Sequence, residues 1–406
     1  MANEDSGSAV FSPDFILDPY PEITRLRKEE PVHFVPHMQA WFLTRHEDVK
    51  RLMSDLELVT GDWRAWESYR PPPGPYMRWL ADNNLHAMER EDHLRVRRLV
   101  ATAFTPRATA RIDGQIRQVV AHYAERLRRR TGTVDLMGEL IDAVPNAVIS
   151  RVAGIPAKDD DQVRFRRLAE AVTRATLPFA PLEEFAQAED AMGELADWVG
   201  QVARIRKRDP EEDLISELMA AADAGDRTSV SEAVLLVVGL ISAGSETTAL
   251  AGMVSLMSLL AQPDVFGRLK ADRSMIDRAL LEILRHDFGG PGCLPRYALR
   301  DFRLSDKLIH RGQMVLLSFG GANRDPSAFP NPDDFDIDRD QRNLLAFGHG
   351  AHYCLGSYLA KAELRYLIDA LLDMVPINAQ IRYDLIEVRM FNMFPRPTTL
   401  PVDLGG

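Results

Sequence analysis

Apolar residues along most of the chain recur every three or four positions. This spacing places them on one face of a helix and is typical of helices that pack against a core. It predicts helices over residues 47–53, 93–103, 108–130, 183–207, 231–261, 275–286 and 355–372. The chain is therefore expected to be mainly α-helical.

Strand content is predicted to be small. The segments Val32–Val35 and 41–44 are rich in β-branched and aromatic residues on either side of a turn-rich stretch, which predicts a pair of short strands. Prolines at 71, 72, 73 and 75 exclude a continuous helix between residues 61 and 91, so we expect a long irregular connection there. Loops of that length inside a compact domain are more often functional than idle.

The sequence gives no sign of division into several units. It contains no internal repeat, no low-complexity tract and no Gly/Ser-rich linker. We therefore expect a single domain over residues 1–406, with a disordered tail over about residues 1–12.

Charge and terminal composition restrict the partners. The 49 Lys and Arg residues against 60 Asp and Glu residues give a net charge of −11, which argues against nucleic acid as a partner. The first residues carry no basic cluster and precede no apolar run, so no signal peptide or membrane anchor is expected and the protein is predicted to be cytoplasmic. The apolar segment 233–261 is long enough to cross a bilayer, but Glu246 in its middle indicates a buried core helix.

The segment 347–356 reads FGHGAHYCLG and leads into the last predicted helix. Its Cys354 is one of two cysteines, which are too few for a disulfide framework. A thiolate can bind iron when its charge is stabilised, and backbone N–H groups at a helix start supply this while glycines allow close approach. An isolated cysteine is more often a buried and inert residue, so it is the whole loop that favours a metal ligand.

Zinc is an alternative for the same loop. His349, His352 and Cys354 together resemble a Cys-His-His ligand set, as in a zinc hydrolase. No acidic general base lies nearby, and zinc loops rarely carry this much glycine, so iron is the preferred interpretation.

This loop also matches the heme-binding signature Phe-Gly-x-Gly-x-His-x-Cys-x-Gly of the cytochrome P-450 family at every fixed position. Three further segments resemble family blocks in the family's order, over about residues 30 to 405. The resemblance implies the triangular, mostly helical cytochrome P-450 fold with a minor β region, and heme b (iron protoporphyrin IX) between helix 231–261 and the helix after the cysteine. Cys354 would be the axial iron ligand. The loop residues implied to bind the heme are Phe347, Gly348, His352, Cys354 and Gly356.

Residues 243–248 read AGSETT and resemble the family's oxygen-activating turn. The resemblance implies that Glu246 and Thr247 are catalytic, because a hydroxyl can hydrogen-bond dioxygen while an acid passes protons from bulk water. The small residues Ala243 and Gly244 would leave room over the heme. The alternative is that Glu246 forms a salt bridge to a neighbouring helix and the Thr247 hydroxyl bonds to its own backbone.

Glu282 and Arg285 are spaced to lie on one helix face, and Arg339 follows the stretch 331–336, NPDDFD. Taken alone, such a pair is more often an exposed contact of little energy. The resemblance implies that the three residues have a structural role and hold the Cys354 loop.

His93 and Arg97 lie one turn apart on a predicted helix. The resemblance implies that they bind the heme propionates, with Arg296 and His352 at further propionate positions, because planar guanidinium groups suit carboxylates. Each could instead be an exposed basic residue on a solvated face.

Substrate contacts are expected in the proline-rich connection, on the long helix, near the C-terminus and in the glycine-rich stretch 287–295. That stretch is longer than usual for the family, and ordinary packing explains several of the aromatic residues equally well. The candidate pocket residues are Trp63, Trp66, Tyr76, Leu240, Gly290, Cys293, Leu294, Met393 and Phe394.

The resemblance implies a monooxygenase that inserts one atom of O2 into a lipophilic terpenoid, steroid, fatty acid or polyketide and reduces the other atom to water. No flavin or iron–sulfur segment occurs in the chain, so electrons from NAD(P)H would arrive through a ferredoxin and its reductase. A monomer is expected. An alternative is a heme-thiolate ligand-binding protein without turnover, against which the Glu246–Thr247 pair argues. The basic residues expected to face the ferredoxin are Arg95, Arg98, Arg107, Lys361 and Arg365.

Overall fold

The computed structural model describes residues 8–85, 87–88, 90–155, 159–175, 180–223, 230–290, 292–391 and 394–405. Helices account for most of these residues. The α-helices α1 to α15 are, in chain order, Pro13–Leu17, Tyr20–Glu29, His46–Ser54, Pro75–Asn83, Arg90–Ala101, Pro106–Leu127, Ala143–Ala153, Asp159–Arg174, Leu182–Arg206, Leu214–Asp223, Val230–Ala261, Pro263–Ala271, Ile276–His286, Phe319–Asn323 and Ser357–Met374. A one-turn π-helix, Met137–Ile141, precedes α7.

The strands are short and form small sheets. The strands β1 to β12 are Val32–Val35, Ala40–Leu43, Val59–Thr60, Thr133–Asp135, Cys293–Ala298, Phe302–Leu304, Lys307–Ile309, Met314–Ser318, Gln380–Ile381, Val388–Phe391, Phe394–Pro397 and Pro401–Asp403. The largest sheet has five strands in the order β1-β2-β8-β5-β3, in which only the β2–β8 pair is parallel. The remaining sheets are β4-β12-β9, β10-β11 and β6-β7.

The seven predicted helices correspond to α3, α5, α6, α9, α11, α13 and α15, with their ends displaced by no more than one turn. The two predicted strands are β1 and β2, which pair antiparallel. Local sequence explains where α6 begins. The Thr105 hydroxyl accepts a hydrogen bond from Ala108 N at 3.1 Å, and Pro106 is the first residue of the helix, which are the usual helix-start signals.

The proline-rich connection is not irregular throughout, which corrects the expectation for residues 61–91. Pro75 is the first residue of α4. Proline is tolerated there because the first N–H groups of a helix have no hydrogen-bond partner within the helix. The next two backbone N–H groups, of Tyr76 and Met77, donate to the Glu189 carboxylate of α9 at 2.9 and 2.8 Å. A side chain more than one hundred residues away therefore caps this helix.

The predicted disordered tail does not extend to residue 12. Val10 is fully buried and Ser12 accepts a hydrogen bond from Phe15 N at 3.2 Å, so residues 8–12 belong to the fold. Residues 1–7 lie outside the described residues.

Helix α11 runs through the largest cluster of buried side chains and packs against α7, α8, α9, α10, α13 and α15. It is the one helix in the described ranges that is long and apolar enough to cross a membrane, and 67% of its most apolar window is buried inside the protein. Burial on nearly all sides explains why its sequence is apolar all round.

Candidate active site around the Cys354 loop

One stripe at the centre of α11 is accessible although the helix is otherwise buried. Ala243 and Thr247, four positions apart, are exposed, and Leu240 on the same face is half-buried. An accessible stripe halfway along a core helix faces an internal space. The sequence prediction placed the oxygen-activating turn and a pocket residue at these positions.

Gly244 lies four positions after Leu240 and three before Thr247, on the same side of the helix, and is half-buried. A Cβ atom at this position would meet Ile149 Cδ1 of α7 at 3.4 Å. This is an ordinary van der Waals distance, so Ile149 closes one side of Gly244, and the expectation that the glycine leaves room over the heme stays a prediction.

The side chain of Glu246 is buried, with 3% exposure, beside the accessible stripe. Its Oε2 accepts a hydrogen bond from Arg396 Nη1, and Arg396 Nη2 donates to Asp142 Oδ1. The Thr247 hydroxyl donates to Ala243 O at 2.9 Å. The structural alternative for this turn was a salt bridge from Glu246 and a backbone hydrogen bond from Thr247, and both contacts are present. The partner of Glu246, however, lies on strand β11 and not on a helix. The Thr247 oxygen can still accept hydrogen bonds, so proton relay by this pair stays a prediction.

Arg396 and Asp142 are site residues that the sequence analysis missed. Arg396 donates hydrogen bonds to both Asp142 and Glu246, although 254 and 150 positions separate it from these two residues. The signal available in the sequence was an acid, Asp142, in the mostly apolar segment 140–149, and an arginine in the last strands. Neither identifies its partner.

The Cys354 loop closes on itself and joins α15. Cys354 N donates to Phe347 O at 2.8 Å, which brings the two ends of the loop together. Gly348 and Gly350 have φ values of 74° and 75°, in the left-handed region that glycine adopts without steric cost. Gly350 also lies against Ser54 of α3, where any Cβ would clash at 2.8 Å.

The Cys354 thiol is accessible to solvent, yet surrounding protein still dominates its ionisation. Burial raises the pKa of Cys354 and outweighs the lowering effects of the Gly356 N–H, Arg97 and Lys361. The Gly356 N–H acts in the direction expected of a helix start, but burial has the larger effect on this pKa. A bound metal ion deprotonates a coordinating thiol, so the position still suits a metal ligand.

Three of the four predicted propionate ligands gather at this loop. Arg97 Nη2 donates to Tyr353 O at 2.6 Å, and the ring centroids of His93 and His352 are 4.2 Å apart. Burial lowers the pKa of Arg97, an effect that the nearby Cys354 partly offsets. The fourth, Arg296, is buried on β5 and donates to Pro295 O at 3.1 Å.

These donors fit heme. A thiolate is a known axial ligand of heme iron, and cationic side chains pair with the two propionate carboxylates. Cys354 would hold the iron, while Arg97, His93 and His352 would hold the carboxylates.

Glu282, Arg285 and Arg339 come together as one buried cluster. Glu282 and Arg285 are fully buried and share two hydrogen bonds at 2.7 and 2.8 Å. Glu282 also accepts from Asp336 N at 2.8 Å and Gln341 Nε2 at 2.7 Å.

The Arg285 guanidinium reaches the carbonyl oxygens of Asn323, Pro332 and Asp334. Arg339 donates to Glu282 at 3.4 Å and to three carbonyl groups between residues 330 and 334. The cluster thus fastens the segment that leads into the Cys354 loop, which agrees with the structural role implied by the resemblance.

Several predicted pocket residues instead belong to a core next to the five-stranded sheet. Trp63 is 7% exposed, Cys293 is 1% exposed, and both pack in the cluster that contains Tyr297. Trp66 packs on Tyr297 with ring centroids 6.3 Å apart. Burial raises the pKa of the Cys293 thiol, as expected for an inert core cysteine.

The glycine-rich stretch also packs against protein. The carbonyl oxygen of Gly290 lies 2.3 Å from the position of a Cβ on Gly320, so Gly320 must lack a side chain. Leu294 packs at the edge of the sheet core. Trp63, Cys293 and Gly290 are buried, so the expectation that they line the pocket is corrected to a packing role. Leu294 and Trp66 are only partly buried and remain candidates.

The other predicted pocket residues remain candidates. Tyr76 and Leu240 lie partly buried at the edge of the main core. Phe394 begins β11 opposite Phe391. Met393 lies outside the described residues.

The zinc alternative finds no support. Among the described residues, which include His349, His352 and Cys354, no group of three His, Cys, Asp or Glu side chains could hold a metal ion. A single thiol with cationic neighbours is the arrangement present.

Comparisons with known proteins agree with this site. The sequence model of the cytochrome P-450 family matches residues 32–374. The chain is 31% identical to nocardicin C N-oxygenase of Nocardia uniformis subsp. tsuyamanensis over 99% of its own length and 100% of that protein. It is 34% identical to mycinamicin IV hydroxylase/epoxidase of Micromonospora griseorubida over 86% of each chain.

Solved structures give the same result. The crystal structure of CalO2 superposes with a TM-score of 0.87 at 31% identity, covering 97% of this chain and 98% of that one. The small sheets and many helices match that fold, and the two relatives are named as an N-oxygenase and a hydroxylase/epoxidase. The chain with its Cys354 loop belongs to the cytochrome P-450 family of monooxygenases.

Proposed function

We propose that this chain oxidises a small lipophilic substrate of the terpenoid, steroid, fatty-acid or polyketide class. The observation that carries the proposal is the accessible Ala243–Thr247 stripe on α11 beside the buried acid Glu246. Relatives named for mycinamicin IV and for vitamin D(3) oxidation support a lipophilic substrate. The cofactor is heme b, with O2 as co-substrate.

Different residues of this chain would bind the heme and transfer protons. Cys354 would hold the iron, and Arg97, His93, His352 and Arg296 would hold the propionates. When bound, heme iron supplies dioxygen binding and reductive cleavage of the O–O bond. Glu246 would pass protons to the Thr247 hydroxyl, which can accept one hydrogen bond while donating another.

The electron donor would be a ferredoxin reduced by an NAD(P)H-dependent reductase. Arg98 and Arg107 are exposed and bring positive charge to an acidic protein. Arg95 and Arg365 lie near Glu232 and Asp277, at 3.4 and 2.6 Å, so their charges are partly neutralised.

Lys361 sits over the Phe347 and Tyr358 rings, with its Nζ 5.7 and 4.9 Å from their centroids. If docking uses these cations, Arg98→Glu should slow reduction and weaken its dependence on salt. Unchanged kinetics and salt dependence would exclude this surface.

The protein would act as a cytoplasmic monomer of one domain. Turnover is tested with NAD(P)H, a ferredoxin, its reductase and a panel of lipophilic compounds under ¹⁸O2. The proposal expects one labelled oxygen atom in the product. Spectral binding of compounds with no product from any class would favour a ligand-binding protein without turnover.

A further inference from the structure

A buried cluster of three charged side chains lies beside the active-site turn. Arg396, Glu246 and Asp142 are 1%, 3% and 7% exposed. Each of the two terminal nitrogens of Arg396 donates to one carboxylate, Nη1 to Glu246 and Nη2 to Asp142. One guanidinium thus serves two acids from opposite sides.

The charges in this cluster do not balance. With both acids ionised, one positive and two negative charges share a site of low dielectric constant. Burying two like charges beside one cation is costly, so the two acids favour taking up one proton between them. Two carboxyl groups that share a cation titrate as a coupled pair.

The surroundings of Asp142 favour its protonated form. Burial raises the pKa of Asp142 to about 6 although Arg396 lowers it, while Glu246 and Glu170 raise it further and Arg166 lowers it. Asp142 also ends the π-helix, since its N–H donates to Met137 O at 2.9 Å. Single π turns inside helical segments are often found at functional sites.

We propose that Asp142 is a positioning residue of the proton relay, which sets through Arg396 whether Glu246 stays locked as an ion pair or can take up and pass on a proton. The inference rests on the proposed relay function of Glu246 and Thr247. When Asp142 is protonated, Arg396 pairs with Glu246 alone and keeps it ionised. When Asp142 is ionised, it competes for Arg396, and its negative charge increases the proton affinity of Glu246.

The proposal predicts a pH dependence that Asp142→Asn removes. In the wild-type holoenzyme, the fraction of NAD(P)H electrons recovered in product should rise as the pH increases through about 6. Asp142→Asn imitates the protonated acid, so its coupling should be low and flat from pH 5 to 8. Arg396→Lys keeps a cation and should restore part of the dependence that Arg396→Gln loses.

A second readout does not depend on turnover. A raised pKa in the folded state gives stability that is present below the ordinary value of 3.8 and lost as the pH rises through about 6. Asp142→Asn removes this loss. The melting temperature of the variant relative to wild type should therefore be higher at pH 8 than at pH 5.

Asp213→Asn is the matched control, because Asp213 is another buried acid paired with an arginine, Arg206, at 2.5 Å but lies at the start of α10. It should keep the wild-type coupling profile. If Asp142→Asn retains the wild-type midpoint, or its melting difference does not change with pH, the inference is wrong.

The failure of the relay itself gives a different result. Glu246→Gln and Thr247→Ala would then leave coupling unchanged. If both of these variants uncouple the enzyme and Asp142→Asn does not move the pH profile, the relay stands and the role of Asp142 is refuted.

Discussion

Replacing Glu282 by Gln tests how strongly the buried cluster holds the Cys354 loop. The Glu282 carboxylate faces the Arg285 guanidinium at 2.7 and 2.8 Å with no exposure of either residue. Gln would remove the negative charge and turn an amide N–H₂ toward guanidinium donors. An uncompensated arginine would then remain in the core.

Breaking a buried ion pair from one side costs about 3–5 kcal/mol. This is a large part of the roughly 5–15 kcal/mol by which folded proteins are stable. The free energy of unfolding, measured by urea titration with tryptophan fluorescence, should fall by that amount at pH 7. The variant should also lose heme more readily, because the segment before the loop is released.

Asp277→Asn is the control on the same helix. Asp277 pairs with Arg365 at 2.6 Å, but the side chains are 56% and 45% exposed. Exposed pairs contribute about 0–1 kcal/mol. A loss below about 1 kcal/mol for Glu282→Gln, equal to that of the control, would refute the reasoning from burial.

The destabilisation should also depend on pH. Burial raises the pKa of Glu282, but hydrogen bonds from Arg285, Asp336 N and Gln341 together lower it below its ordinary value of 4.5. A lowered pKa gives stability that is present above 4.5 and lost as the pH falls through the folded-state value. The difference between wild type and Glu282→Gln should therefore shrink in acid.

Three further outcomes are expected. Thr247→Ala should slow the proton-dependent step roughly 10²-fold and divert electrons to peroxide or water, which is measured as product formed per NAD(P)H. Its free energy of unfolding should stay within about 0.5 kcal/mol of wild type. Full coupling in this variant would contradict the relay. Arg97→Leu should weaken heme retention by about 1.5–3 kcal/mol, roughly 10- to 150-fold, in a heme-transfer assay, whereas an unchanged ratio of heme to protein would exclude propionate binding. Gly244→Val should lower the free energy of unfolding by about 1–3 kcal/mol in the same urea titration, because Ile149 lies 3.4 Å from the new Cβ and leaves no room for further methyl groups. Gly244→Ala should be tolerated. Equal effects of the two substitutions would disprove the packing of α11 on α7 at this position.

The sequence predicted those parts of the fold that leave a local pattern. α11 is apolar over most of its length and has its central polar residues at the turn, and the amphipathic α13 places Glu282 and Arg285 on one face. The Cys354 loop carries so many fixed residues that its position before α15 followed directly.

Contacts between distant segments left no such pattern. Arg396 gave no hint that it binds Asp142 and Glu246, since such pairs form only when the chain folds. α4 was missed because its capping group, Glu189, lies on another helix. Cys293 and Trp63 were expected in the pocket because aromatic and sulfur side chains suit both apolar ligands and apolar cores, and only burial separates the two.

The most direct test of heme-thiolate ligation is the optical spectrum of the reduced protein under carbon monoxide, for wild type and Cys354→Ser. Wild type should show a strongly red-shifted Soret band, and the variant, which lacks the thiolate ligand, should not. Cys293→Ser, which changes a buried core cysteine, should keep the wild-type band. Absence of heme absorbance in wild type, or an identical red-shifted band in Cys354→Ser, would contradict the assignment of Cys354 as the iron ligand.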